Sequence, residues 1–359
     1  MTIPVSVMRA SSVLVTLAAL ALLAPAASGT TRVKGPVEAN RLAAGAGSAD
    51  ANPLAGQRWW DQNTPYNLTW NGFRKLAREG RENDAADVRL LAEQPQFRWW
   101  GQWERPIEAK LRLTFAYMDR TAPGSVPLLA AFGHKGDGCG PSYLGGGAAE
   151  DARYRRFIQG FARGVGSRQV VIAFEPDAIG TVECLAKHRR DDRLRMLAYG
   201  VDVLSKLPNA TIYVDGGAAD WEGSPTTARK LRAVGVHKVR GFMVNATHQV
   251  STERSIGYGL DVSRRLGGKH FIVNTSHNGN GTYYRRRGGK RAPVWCNPPN
   301  AAAGARPTTN TANPRVDAYM WVERPGFSNG ACNGGPARVG AWWEERALQM
   351  ARRAAWYPG

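Results

Sequence analysis

The residues best suited to chemistry are aspartates that follow short apolar runs. FEPDAIG at 174–180 ends the run QVVIAF on Asp177, YVDGGAADW at 213–221 ends TIYV on Asp215, and GDGCG at 136–140 carries Asp137 in a glycine-rich loop. A carboxyl held at the end of a buried strand, with an apolar wall and other carboxylates beside it, has its pKa raised and can keep a proton near neutral pH. That is the requirement for a general acid. Around these aspartates lie amides and indoles at similar positions: Asn245 after GFMV, Asn278 after HFIV, and Trp221, Trp295 and Asn297 in the loops. Indoles offer flat apolar faces and amides offer hydrogen bonds at the rim, the combination a polyhydroxylated ligand needs. Each residue also has a plainer reading. Asp177 could cap a following helix, Asp137 and Asp215 could be turn residues, and the tryptophans could be core.

Parallel strands alternating with helices must position such a set. Amphipathic stretches rich in Arg, Ala and Leu predict helices over 69–82, 84–92, 153–165, 192–206, 226–234 and 252–266. Between them, apolar β-branched runs predict strands over 126–132, 169–174, 211–214, 241–244, 270–273 and 318–322. Continuous apolar runs alternating with helices indicate an α/β fold with a parallel sheet buried on both faces. Active sites of α/β barrels gather at the C-terminal ends of the strands. Five consecutive strand predictions run into polar clusters, which turn propensity alone explains poorly.

The chain has 359 residues, 43% of them hydrophobic, which suffices for one large core. The apolar run SSVLVTLAALALLA at 11–24 is too short for a membrane span and precedes an Ala-x-Ala-like site at Ala24–Ala26. Residues 1–27 read as a signal peptide, 28–51 as a flexible N-terminal segment and 52–359 as a single catalytic domain. The expected protein is secreted, with no membrane association after signal cleavage, and monomeric. The net charge of +19 is scattered apart from Arg285–Arg287 and Lys290–Arg291, and no nucleic-acid-binding motif accompanies it. The four cysteines, Cys139, Cys184, Cys296 and Cys332, suggest disulfides in an exported chain and allow three pairings. Two local bridges, 139–184 and 296–332, would each close a loop of about 40 residues and contribute about 3–4 kcal/mol. The spacing shows no metal site, and no cofactor is implied.

In order along the chain, NPLAG at 52–56, EQPQFRWWG at 93–101, GDGCG, FEPDAIG, YVDGGAADW, FMVNATH at 242–248, VNTSHNGNG at 273–281, WCNPPNAAAGARPT at 295–308 and DAYMWVERPGFSNGAC at 317–332 resemble the motifs of glycoside hydrolase family 6, the cellobiohydrolases and β-1,4-endoglucanases. The resemblance implies a distorted parallel (β/α) barrel and a secreted enzyme that cleaves β-1,4-glucosidic bonds of cellulose or a related β-glucan with inversion. Inversion requires a carboxylic acid on the leaving oxygen and a base on the opposite face, about 6.5–9.5 Å apart. Asp177 then corresponds to the general acid and Asp137 to the aspartate that assists its protonation, while Glu175 is structural. Asp215, Trp221, Asn245, Asn278, Trp295 and Asn297 become substrate-binding positions, and the cysteines fall where the family has two disulfides.

The departures sit in the chemistry. The family's P-G-E-S-D-G reads Pro325 to Gly330 here, so Asn329, which cannot be a base, stands at the base position. Phe327 replaces a sugar-binding glutamate, Glu323 replaces a lysine, His277 replaces an arginine and Ala218 replaces a histidine. Two alternatives follow: a hydrolase of a different envelope glycan, or a carbohydrate-binding relative that has lost catalysis.

Overall fold

The computed structural model describes residues 50–134, 148–311 and 313–359. Seven strands form one parallel sheet: β1 (Arg98–Gly101), β2 (Leu128–Phe132), β3 (Val170–Phe174), β4 (Ala210–Asp215), β5 (Gly241–Val244), β6 (His270–Asn274) and β9 (Val316–Met320), ordered β1-β2-β3-β4-β5-β6-β9. Each pairs in parallel with its neighbour, from Arg98 opposite Leu129 at one edge to Asn274 opposite Met320 at the other. The edges then approach each other. Phe97 N donates to Trp321 O at 2.9 Å, and Gln96 and Trp321 form a single parallel bridge. One bridge in place of a ladder closes the curled sheet into a distorted barrel.

The helices are α1 (Leu68–Arg78), α2 (Glu82–Ala92), α3 (Ile107–Thr121), α4 (Ala148–Val165), α5 (Lys187–Leu204), α6 (Ser224–Ala233), α7 (Thr252–Arg265) and α8 (Glu344–Arg352). The expected helix over 69–82 stops at Arg78 because Gly80 takes φ +72°, a left-handed conformation that ends a helix cheaply only at glycine. All six expected strands are present within a residue or two. Strand β1 and helix α3 were not anticipated; RWWG is too short to carry a periodic signal. Within 281–294, where no strand was expected, the chain folds as an antiparallel hairpin of β7 (Tyr284–Arg287) and β8 (Lys290–Pro293).

Strand side chains alternate between two apolar layers. Leu128, Ala130, Val171, Ala173, Tyr213, Met243, Ile272, Ala318 and Met320 fill the barrel interior. Their neighbours Leu129, Ile172, Phe174, Val214, Phe242, Val244, Phe271 and Val273 pack outward against the helices. Both faces are therefore dry, which is why these strands read as unbroken apolar runs.

One ionic cluster ties the sheet together. The fully buried Asp317 on β9 accepts from Tyr213 Oη at 2.6 Å and from Arg240 Nε and Nη2 at 2.9 and 2.8 Å, and lies 3.1 Å from His270 Nδ1. Removing one member leaves the others buried and uncompensated. Asp317→Ala is expected to cost about 3–5 kcal/mol in urea unfolding, whereas cutting an exposed pair such as Arg168–Asp119 is expected to cost under about 1 kcal/mol.

Candidate active site

The loop after β3 is built under backbone constraint. Glu175 and Asp177 take φ of +53° and +73°, a region that costs non-glycine residues on the order of 1–3 kcal/mol and persists where surroundings enforce it. The enforcing contact is Glu175. Fully buried, its carboxylate accepts from Gly133 N at 3.0 and 3.1 Å and from His134 N at 2.9 Å, and pairs with His134 Nδ1. It clamps the end of β2 to the end of β3, as a structural residue. The turn that follows leaves Asp177 partly exposed, facing a cleft. Its side chain does not cap the 3₁₀ turn over Gly180–Cys184; it accepts instead from Thr247 Oγ1. Burial raises the Asp177 carboxyl above its ordinary value, against the opposing bond from Thr247.

Asp215 lies behind this loop. It is 1% exposed, and its Oδ2 accepts from Ile179 N at 2.9 Å while Oδ1 accepts from Gly217 N at 3.2 Å. Burial, and then the neighbouring Asp177 carboxyl, push it up to about 7. It is not part of the cleft lining, so the structure gives it a supporting place behind Asp177 and not the sugar contact expected of it. Two like carboxyls packed this closely disfavour each other's charge, which helps a proton stay on the pair near neutral pH.

The cleft has a volume of about 1010 Å³, at the upper end of the roughly 300–1,000 Å³ typical of ligand pockets. Asp177, Trp221, Trp295 and Asn329 all line it. Trp295 is 41% exposed, and Trp221 stacks on His248 with ring centroids 4.6 Å apart. Tyr66, Trp99 and Trp103 add to the aromatic lining; Trp99 and Trp100 differ in that Trp100 is fully buried in the core.

The three other asparagines do not reach the cleft. Asn245 exchanges bonds with Asn274 across the ends of β5 and β6: Nδ2 of each donates to the main-chain oxygen of the other, at 3.1 and 3.0 Å. Asn278 Nδ2 donates to Val250 O and Thr252 Oγ1, both at 3.0 Å. Asn297 Nδ2 donates to Gly330 O and Cys332 O at 2.9 and 3.0 Å, and its Oδ1 accepts from Asn329 N at 2.9 Å. All are at least 97% buried. Their amides fasten loops where the sequence suggested sugar hydroxyls, because buried main-chain groups at strand ends need partners first.

The Cys296–Cys332 disulfide is present and fastens the same loop that Asn297 holds. Asp137 and Cys139 lie outside the described residues, so neither the expected contribution of Asp137 to the acid nor a bond from Cys139 to Cys184 is described; none of the described cysteines is free.

Sequence reasoning missed several neighbours. His248 Nδ1 lies 2.7 Å from Asp220 Oδ1. Burial opposes the charged imidazole, but Asp220 outweighs it and raises the His248 pKa. Across the cleft, Asn329 Nδ2 donates to Glu323 Oε1 at 2.6 Å, and Glu323 Oε2 lies 2.8 Å from His277 Nδ1. Burial would raise Glu323, but His277 first and then Asn329 hold it below its usual range. Asp220 was visible one residue before Trp221, while its contact with His248 spans 28 positions, that of His277 with Glu323 spans 46, and that of Asn329 with Glu323 follows from local loop geometry.

Asp215 sets a pH dependence of stability. An unfolded aspartate ionises near 3.8, whereas Asp215 in the fold ionises at about 7. Between those values the folded chain holds a proton that the unfolded chain has released, so raising the pH through this window favours unfolding. Asp215→Asn is expected to remove on the order of 1–3 kcal/mol of the fall in stability between pH 5 and pH 7, read from urea midpoints at the two pH values.

Residues 55–354 match the family model described as glycosyl hydrolases family 6. Over 274 residues the chain is 38% identical to endoglucanase A of Cellulomonas fimi, covering 76% of this chain and 57% of that protein. Over 282 residues it is 30% identical to endoglucanase 1 of Streptomyces halstedii, covering 76% and 83%. Its structure is similar to that of the endoglucanase Cel6 from Mycobacterium tuberculosis in complex with methyl-cellobiosyl-4-deoxy-4-thio-β-D-cellobioside, with a TM-score of 0.75, 33% identity and coverage of 84% of this chain and 99% of that one. A solved endoglucanase from Humicola insolens, 20% identical with a TM-score of 0.71, shares the fold. A matched segment spanning most of the folded chain, on a closing parallel barrel whose strand ends carry these motifs, makes this chain a member of glycosyl hydrolase family 6.

Proposed function

We propose that this chain is an exported glycosidase that hydrolyses β-1,4-glucosidic bonds of cellulose or a related β-glucan with inversion, acting as a monomer on polysaccharide or oligosaccharide. The observation that carries the proposal is Asp177: a carboxyl at a strand end, raised in pKa by burial, facing a cleft lined by aromatic rings. The raised pKa favours its protonated form, and the Thr247 hydroxyl donates to its Oδ1 and so fixes its orientation. Protonation of the glycosidic oxygen by Asp177 turns a poor leaving group into a neutral alcohol. Water then attacks the anomeric carbon from the opposite face, giving the α-anomer from a β-linked substrate.

The indoles supply binding. Trp295 presents an exposed ring and Trp103 is 57% exposed, and flat rings at such sites match the axial C–H faces of glucosyl units. The relatives named as endoglucanases and the thio-oligosaccharide of the Mycobacterium structure support β-1,4-glucan as the substrate class. Removal of residues 1–27 during export accords with their composition and with the Cys296–Cys332 bridge.

The test is hydrolysis of soluble β-glucans, cello-oligosaccharides and envelope polysaccharides, with product anomers followed by NMR. Wild-type protein is expected to release α-anomers, and Asp177→Ala to lower kcat on unactivated substrate by roughly 10²–10⁴-fold. Retained activity in that variant would remove Asp177 from the acid role; cleavage of envelope polysaccharide alone would reassign the substrate. Trp295→Ala is expected to raise KM about tenfold, with kcat little changed, if the ring binds a sugar in ground and transition states alike.

A further inference from the structure

Inversion needs a base on the wall opposite the acid, and the residue at the family's base position, Asn329, has no carboxyl. Among the described residues, four carboxyl-bearing side chains line the cleft: Glu104, Asp177, Asp220 and Glu323. Glu104 is paired with Lys110 at 2.7 Å. Asp220 follows β4, next to the strand that carries Asp177, and its partner His248 adjoins Thr247, which donates to Asp177. Asp220 is therefore on the acid's own wall. Glu323 follows β9, three strands from β3 one way around the closing barrel and four the other, so it sits on the far side of the mouth.

We infer that Glu323 is the catalytic base of this chain, having taken over the carboxylate function that position 329 lacks. This rests on the glucanase reading above. Asn329 Nδ2 donates to Glu323 Oε1 at 2.6 Å, so the carboxylate stands within one hydrogen bond of the side chain at the base position. The surrounding charges are rearranged to match. Where the family has lysine, arginine and aspartate, this chain has Glu323, His277 and Asn329: the carboxyl has moved from 329 to 323, and His277 Nδ1 lies 2.8 Å from Glu323 Oε2. Only the anion remains between His277 and Asn329, and a substituted lysine would have faced an asparagine with nothing to neutralise it.

The position is rigid. Asn274 Oδ1 accepts from Val322 N at 2.9 Å, fixing the backbone just before Glu323 to the end of β6. Asn329 is held from the other side by Asn297 and the Cys296–Cys332 bridge. Glu323 lines the cleft with 8% of its surface exposed while its Oε2 is buried beside His277, so the attacking water is assigned to Oε1, where the bond from Asn329 takes one of two acceptor sites. In the step, Glu323 takes a proton from that water, the water oxygen bonds to the anomeric carbon, the bond to the leaving oxygen breaks, and Asp177 delivers its proton to that oxygen. Glu323 ends protonated and Asp177 ionised, and exchange with solvent resets both.

The test uses the full chain with Glu323→Ala and Glu323→Gln, assayed on cellohexaose with and without sodium azide, and with cello-oligosaccharide binding measured by calorimetry to show that each variant is folded. The expected result is a fall in kcat of roughly 100-fold or more with KM within about threefold in both variants, and in Glu323→Ala a recovery with azide that yields the α-glycosyl azide. Azide fills the space of the lost carboxylate and attacks the anomeric carbon without needing deprotonation, which a merely structural glutamate would not permit. An active wild type whose Glu323 variants keep activity within about threefold, or lose it without azide recovery while still binding, overturns the assignment and leaves the glucanase reading intact. A wild type inert on every glucan overturns both.

Discussion

The buried Glu175 carboxylate is the contact on which the site depends. It takes the main-chain N–H groups at the end of β2 and the imidazole of His134, with no solvent exposure. A carboxyl buried there is tolerable only because donors surround it. In return it holds two adjacent strand ends in one geometry and keeps the next turn in a left-handed conformation that isolated peptide would not adopt. Asp177 faces the cleft because Glu175 cannot. The order of the two acidic residues in FEPDAIG thus separates a structural carboxylate from an exposed one two residues later.

The same logic of satisfying buried polar groups explains the rest of the rim. Each parallel strand ends by presenting main-chain groups at the barrel mouth, and side chains from the next loop close them. Asn245 and Asn274 do this for β5 and β6, and Asn297 for the loop through Cys332. The polar clusters at strand ends therefore divide into two populations. Some residues hold the mouth rigid and are buried. Others are left facing the cleft because the first group has already met the backbone's needs.

Charge in the cleft is distributed with similar economy. Asp177 is on one wall with Asp215 buried behind it, each made harder to ionise by burial. On the other wall Glu323 is kept ionised by His277 and Asn329. One wall thus favours the protonated carboxyl and the other the ionised one. This division comes from packing, since all three are ordinary carboxyls with similar intrinsic acidity.

The sequence alone determined the architecture and singled out Asp177, which the structure places on the cleft. Apolar runs of strand length alternating with amphipathic helical stretches specify a parallel sheet buried on both faces, and the strand ends mark the mouth; Asp177, Trp221 and Trp295 were legible because their signal is local. Strand β1 escaped notice because four residues carry no period, and the hairpin at 284–293 because Gly288 and Gly289 amid arginines read as loop. What only the tertiary structure decided is which polar residues remain free. Asn245, Asn278 and Asn297 look like ligands in sequence and are fasteners in space, and Asp215 looks exposed and lies behind Asp177. The pairing of His277, Glu323 and Asn329 spans 52 positions and two loops. Hydrogen-bond satisfaction and burial are properties of the assembled mouth, so no local pattern can encode them.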